Sequence, residues 1–165
     1  MQSIPKLRNM TALYFICDNQ MLLLYRQGSR VANDVWIGAA GGHIEQNELN
    51  DPEACVLREL REELALERED IQNLELRYIT LRYVKGEIRQ NYYFFAEIPE
   101  GMKRNLTSTE GDLAWFPMEA VKDLPMPYTA KHVVEHYLSI GRHSHALYGG
   151  IADGAQVTFT EIFDS

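Results

Sequence analysis

The sequence predicts an α/β fold. Runs rich in tyrosine, phenylalanine and β-branched residues recur along the chain, and two segments, Pro52 to Leu64 and Thr129 to Ile140, carry helical periodicity. Short polar turns, Asp18-Asn19 and Lys85-Gly86-Glu87, separate the strand-like runs. By periodicity alone this is mixed α and β. The 165 residues suffice for one core, so a single domain over residues 1–165 is expected, without internal repeat or linker.

Met10 to Cys17 and Met21 to Tyr25 read as a strand pair across the Asp18-Asn19 turn. Trp36 and Ile37 extend a short strand into the small-residue loop IGAAGG, Ile37 to Gly42, where backbone can approach a ligand closely. A helix follows, with Asp51 as N-cap and Pro52 at its first position, where the missing N–H costs nothing. Leu74 to Val84 and Ile88 to Ile98 form a second hairpin, Leu113 to Phe116 a further strand, and Met118 to Lys122 a helical turn. Thr129 to Ile140 closes the chain as a helix with Thr129 as cap and Gly141 as stop.

The first helix concentrates charge. Glu59, Glu62 and Glu63 stand at i, i+3 and i+4, so at about 100° per residue they share one face, opposite Ala54, Leu57, Leu60 and Leu64. Like charges at this spacing repel by a few tenths of a kcal/mol per pair, roughly, and a cation offsets that. Clustered carboxylate oxygens suit a hard divalent ion, and Mg²⁺ takes one or two protein carboxylates and shares its other positions with water and phosphate. The plain alternative is a solvated acidic face paired with Arg58 and Arg61.

The segment GGHIEQNELNDPEACVLRELREELAL, Gly41 to Leu66, resembles the Nudix box, G-x5-E-x7-R-E-U-x-E-E-x-G-U with U aliphatic. Gly42, Glu48, Arg58, Glu59, Leu60, Glu62, Glu63 and Leu66 match it. Nine residues rather than seven separate Glu48 from Arg58, read as two extra residues in the loop before Asp51. Ala65 stands where the pattern has glycine, so the helix is expected to end without the usual left-handed glycine.

The resemblance implies an α/β/α sandwich with a mixed β-sheet. It also implies hydrolysis of a nucleoside diphosphate linked to another moiety, with a modified nucleoside triphosphate giving monophosphate and pyrophosphate as the leading case. The implied cofactor is Mg²⁺, with Mn²⁺ as substitute, held by Glu59, Glu62, Glu63 and the Gly41 carbonyl. Glu62 is the first choice of general base and Glu63 the second. Arg58 is expected to pair with Glu48 and fix the carboxylates, Glu48 being either a loop-to-helix brace or a group behind the metal ligands. Both Glu62 and Glu63 are expected to face away from the core. Glu110, in the loop STEGDLAWFP, resembles the late acidic residue that relatives use as an extra metal ligand or base.

Arg26 and Arg30 are candidate phosphate contacts. Trp36 either stacks on a base or fills the core, the core being preferred. Pro125 to Leu138, PMPYTAKHVVEHYL, with VWIGAAGGHIE, looks most like the MutT-type branch, including 8-oxo-dGTP diphosphatases. Tyr128 and Thr129 stand where some purine-reading relatives carry acidic or amide residues, which leaves Tyr128 a stacking role.

Two rival readings have sequence support. His132, Glu135 and His136 spell H-x-x-E-H, the motif of inverted zinc peptidases, against a packing role for the same residues. A Nudix fold can also sense a nucleotide without cleaving it, although all three motif glutamates are retained here. A net charge of −8 argues against a duplex nucleic-acid surface. No apolar run is long enough to span a bilayer, and a cytoplasmic protein, free to form a homodimer, is expected. Cys17 and Cys55 read as buried free thiols.

Overall fold

The computed structural model describes residues 3–27 and 34–165. Among these, nine strands form one mixed sheet. Strands β1 (Lys6–Cys17) and β2 (Gln20–Arg26) make the first hairpin, followed by short strands β3 (Val35–Gly38) and β4 (Ala40–His43). Helix α1 (Pro52–Leu64) leads to the long hairpin of β5 (Gln72–Val84) and β6 (Glu87–Glu97). Then come β7 (Asp112–Pro117), the single turn α2 (Met118–Val121), helix α3 (Tyr128–Ser139) and strands β8 (Leu147–Ala152) and β9 (Val157–Ile162).

The sheet runs β3-β2-β1-β6-β5-β8-β9, with β4 paired to β1 and β7 to β2. β1 and β6 are parallel, as are β5 and β8, while the hairpins are antiparallel. Side-chain alternation divides the core in two. Leu13, Phe15, Phe94 and Ala96 face α1, meeting Val56, Leu60 and Leu64. Tyr14, Tyr93 and Phe95 point the other way, onto Val133, Val134 and Tyr137 of α3. Helices therefore cover both faces of a mixed sheet, as the resemblance implies.

Several expectations change. The IGAAGG segment is sheet rather than loop: β3 pairs with β2, and β4 pairs residue by residue with Met10 to Leu13 of β1. Small residues are needed there because strand backbones pack closely, and a Cβ at Gly38 would stand 2.9 Å from the Leu13 carbonyl oxygen. Thr129 is not the cap of α3. The N-cap position belongs to Pro127, which leaves Thr129 buried inside the first turn, and the helix stops at Ser139 with Ile140 as C-cap. Gly141 instead opens a short 3-10 turn against the Tyr78 hydroxyl, where a side chain would collide. Strands β8 and β9, absent from the sequence reading, extend the sheet beyond β5.

The polar turns hold. Asp18 and Asn19 are both left-handed, as are Lys85 and Gly86, the combination that matches strand twist in two-residue hairpins. Ala65 is left-handed too, at φ 54°, so the usual helix-ending conformation is kept without the usual glycine. Both cysteines are free and buried. Among the described residues no helix is long and apolar enough to cross a membrane.

Candidate active site

Helix α1 starts as its sequence dictates, with Asp51 Oδ1 accepting the Ala54 amide at 3.0 Å and Pro52 in the first turn. One turn further on, Arg58 organises the acidic face. Its Nε and Nη2 donate to the two carboxylate oxygens of Glu48 at 2.9 and 3.0 Å, a two-pronged pairing that only a planar guanidinium makes. Its Nη1 donates to Glu59 at 2.9 Å and Glu62 at 3.2 Å, and Nη2 also reaches the His43 carbonyl at 3.1 Å. Glu48 is buried, and the Arg58 guanidinium holds its carboxyl below the usual range against the opposing effect of burial. The Glu48–Arg58 pair ties the loop after β4 to α1.

Glu59 lies against the backbone of β4. A Cβ at Gly42 would collide with the Glu59 carboxylate, so the motif glycine is the absence of a side chain where a carboxylate has to sit. Gly41, at φ 144°, is equally confined, because a Cβ there would run into the Thr11 backbone. Glu63 departs from the expectation that it faces away from the core: it is only 9 % exposed, while Glu62 is open to solvent. The buried face of α1 comprises Cys55, Val56, Leu60, Glu63 and Leu64, with Ala54 and Leu57 half-buried. Burial is the main reason the Glu63 carboxyl is pushed up to about 9, helped by its hydrogen bond to Glu59 and the charge of Glu110, and opposed by a backbone hydrogen bond from Gly41. The Thr109 amide donates to the Glu63 carbonyl at 3.0 Å, which carries the loop bearing Glu110 to this end of α1.

The NUDIX domain family matches residues 7–137, which span β1 through most of α3. The chain belongs to the Nudix family. Among solved structures, it resembles a MutT protein from Bacillus halodurans at 24% identity and TM-score 0.64, covering 93% of this chain and 97% of that one. It also resembles the NUDIX domain of Shewanella oneidensis NrtR in complex with ADP ribose, at 18% identity and TM-score 0.60, covering 87% and 91%. The dihydroneopterin triphosphate pyrophosphohydrolase of E. coli follows at 18% identity and TM-score 0.61, covering 82% and 98%. A search of curated protein sequences finds no match. The family match identifies a Nudix domain, and the solved structures share its fold.

Nudix hydrolases generally use divalent metal ions, and the donors here fit one. Two adjacent carboxyl groups, one of them nearly buried, lie beside a third acidic residue, an arrangement in which Glu63 keeps its proton unless a cation favours the ionised form. Among the described residues no three acidic, histidine or cysteine side chains close a complete cage. Arg58 Nη1 is shared by Glu59 and Glu62, and Glu63 is hydrogen-bonded to Glu59. Such an open set suits an ion that keeps most of its positions for water and phosphate oxygens.

The other predicted positions are scattered. Arg26 is exposed at the end of β2, and no described contact ties its side chain to the carboxylates. Arg30 lies outside the described residues. Tyr128 begins α3 on the opposite face of the sheet, under the Arg82 guanidinium. Trp36 packs between Tyr25 and Phe116, with ring centroids 4.9 and 4.7 Å away, and serves the core. The H-x-x-E-H residues do not form a zinc site. His136 Nδ1 is hydrogen-bonded to the Tyr78 hydroxyl at 2.8 Å and its ring packs on Tyr148 and Phe159, while His132 turns to Tyr128.

Sequence reasoning in this Nudix chain passed over His43. Its carbonyl accepts from Arg58, and its Nε2 meets the Arg8 guanidinium at 3.2 Å. The signal was positional: His43 follows Gly41-Gly42, and once β4 is a strand its pairing with Met10 brings it alongside Arg8.

Proposed function

We propose that the protein catalyses Mg²⁺-dependent hydrolysis of a nucleoside diphosphate linked to another moiety, releasing a nucleoside monophosphate; from a triphosphate, the second product is pyrophosphate. The observation that carries this reading is the Glu59–Glu63 carboxyl pair, buried against Gly42 and pressed together beside Glu110, an arrangement that is unfavourable for folding and useful for binding a cation. The resemblance to a dihydroneopterin triphosphate pyrophosphohydrolase and to a Nudix domain in complex with ADP ribose supports the substrate class. Glu59, Glu63 and the Gly41 backbone would hold the ion. When bound, it supplies charge neutralisation at the phosphate oxygens.

The chain's own groups do the rest. Glu62, exposed at the rim of the patch, is the general base: it takes a proton from the attacking water as the water oxygen bonds to phosphorus. The bridging oxygen leaves with the electron pair of the broken P–O bond, and the phosphate product stays anionic. Arg58 holds Glu62 and Glu59 in register from its anchor on Glu48, positioning rather than reacting. With this alignment removed, catalysis is expected to fall by about 10²-fold or more.

The test is product analysis with Mg²⁺ against 8-oxo-dGTP, the ordinary dNTPs, ADP-ribose and dinucleoside polyphosphates. Glu62→Gln and Glu63→Gln are assayed alongside. The reading predicts release of a nucleoside monophosphate, lost in both variants with folding retained. Ligand-induced stabilisation without turnover under either Mg²⁺ or Mn²⁺ would show instead a nucleotide-binding module.

A further inference from the structure

The α1 face of the sheet is only partly covered. Helix α1 packs on β4 and β1, and its apolar cluster reaches Leu76 and Tyr92. Beyond these, strand register carries the same face outward: Leu7 stands beside Ile88, Ile88 beside Tyr83, and Leu81 beside Ile151. Ile162 joins them across Gly149, where an added Cβ would stand 3.1 Å from its Cδ1. Alternation in β5 shows the asymmetry, since Tyr78 and Thr80 are buried toward α3 while Leu81 and Tyr83 are open on the other side. Leu7, Tyr83, Leu81, Ile151 and Ile162 are 59, 68, 37, 61 and 45 % exposed. Single exposed apolar residues are ordinary, but a contiguous patch of roughly 500 Å², at roughly 100 Å² for each of these five, is near the top of what a monomer shows.

The charge pattern of the same strands is equally one-sided. Charged residues make up 24% of the chain. Yet within residues 6–11, 79–84, 87–92, 149–152 and 158–162 all of them, Lys6, Arg8, Arg82, Glu87, Arg89 and Glu161, alternate onto the α3 face. The α1 face of these segments carries apolar side chains and neutral ones such as Asn9, Gln90, Thr158 and Thr160. A charged partner would find nothing there to pair with. Two copies of a chain with net charge −8 repel, and around a two-fold axis the same patch meets itself, so ionised groups in the contact would be set near their own kind. A face free of charge and centred on aliphatic and tyrosine side chains is the composition that such a contact needs. With its neutral rim, the patch approaches the roughly 800 Å² that each partner contributes to a stable interface.

We propose that the protein forms a homodimer in which this open sheet face packs on the same face of a second copy, the two sheets lying about 10 Å apart as in a β-sandwich. Tyr83 and Ile151, both prominent and on neighbouring strands, supply the largest share of the contact. The dimer does not depend on the reaction at Glu59 and Glu63.

Sedimentation velocity and light scattering over about 1 to 100 μM test it, with an expected mass twice that of the 19.0 kDa chain. Tyr83→Glu and Ile151→Lys each place a charge in the contact and are expected to weaken self-association by about 30-fold or more. Glu161→Gln, on the opposite face of β9, leaves it unchanged. Circular dichroism checks folding, which should be retained because both substituted side chains face solvent in the single chain. Should either charged variant unfold, Tyr83→Ser and Ile151→Thr replace it and are expected to weaken association in the same direction. A wild type that stays monomeric throughout overturns the proposal, and flotation of that monomer with phosphatidylcholine vesicles would assign the face to a lipid surface instead. A dimer that survives the substitutions at both positions overturns it too, since its interface then lies elsewhere.

Discussion

Gly42 and Glu59 occupy adjoining space: the carboxylate of one lies where a side chain of the other would be. Gly42→Ala is therefore expected to turn Glu59 away from Glu63, reducing kcat/KM by about 10²-fold. Strand β4 itself tolerates alanine, as Ala40 shows, so the thermal midpoint should move much less than activity does. Steady-state kinetics beside thermal unfolding checks this, and unchanged kinetics would remove Glu59 from the site.

Without divalent cation, stability should fall as pH rises from about 4.5 toward 9. The folded-state pKa of Glu63 lies above its ordinary value, so across that window the folded protein holds a proton that the unfolded chain gives up. Glu63→Gln removes this contribution. Added Mg²⁺ should also flatten the slope, because a cation favours the ionised carboxyl. Denaturant midpoints measured from pH 5 to 9 in chelator test the sign, and a midpoint that rises with pH through Glu63 would contradict its burial.

Ala65→Gly should stabilise the protein by about 0.5–1 kcal/mol. A left-handed residue with a Cβ costs roughly 1–2 kcal/mol, part of which glycine returns through the greater freedom of the unfolded chain. The thermal midpoint should rise by roughly 1–4 °C. Because Ala65 is exposed, no packing is lost in the exchange.

His136 gives the opposite pH behaviour to Glu63. Burial among Tyr78, Tyr148 and Phe159, together with the nearby Arg77 charge, depresses its pKa. The unfolded chain therefore takes up a proton below about pH 6.5 that the folded protein resists, and stability declines as pH falls through that region. His136→Gln should weaken this acid-side decline, as read from midpoints between pH 7 and 5. A zinc-specific chelator should leave both stability and hydrolysis unchanged.

Local sequence determined much of this protein. The near-continuous apolar runs in β1 and β6 specify strands buried on both faces, Asp51 and Pro52 start α1, and the left-handed pairs at Asp18-Asn19 and Lys85-Gly86 close the hairpins. The grouping of Glu59, Glu62, Glu63, Arg58 and Glu48 was legible because helical periodicity and a specific motif operate over a few residues. Strands β8 and β9 were not, since two glycines interrupt β8 and its pairing to β5 joins residues about 70 positions apart.

Tertiary structure alone decided which glutamate is buried. Helical spacing puts Glu59, Glu62 and Glu63 on one face, but only the approach of β4 and of the loop carrying Glu110 distinguishes the enclosed Glu63 from the exposed Glu62. Arg8, Arg89 and Arg82 likewise come side by side only through register, from three strands. Capping, turn and periodicity preferences depend on neighbours in the chain. Burial and charge clustering depend on which distant backbones pack together.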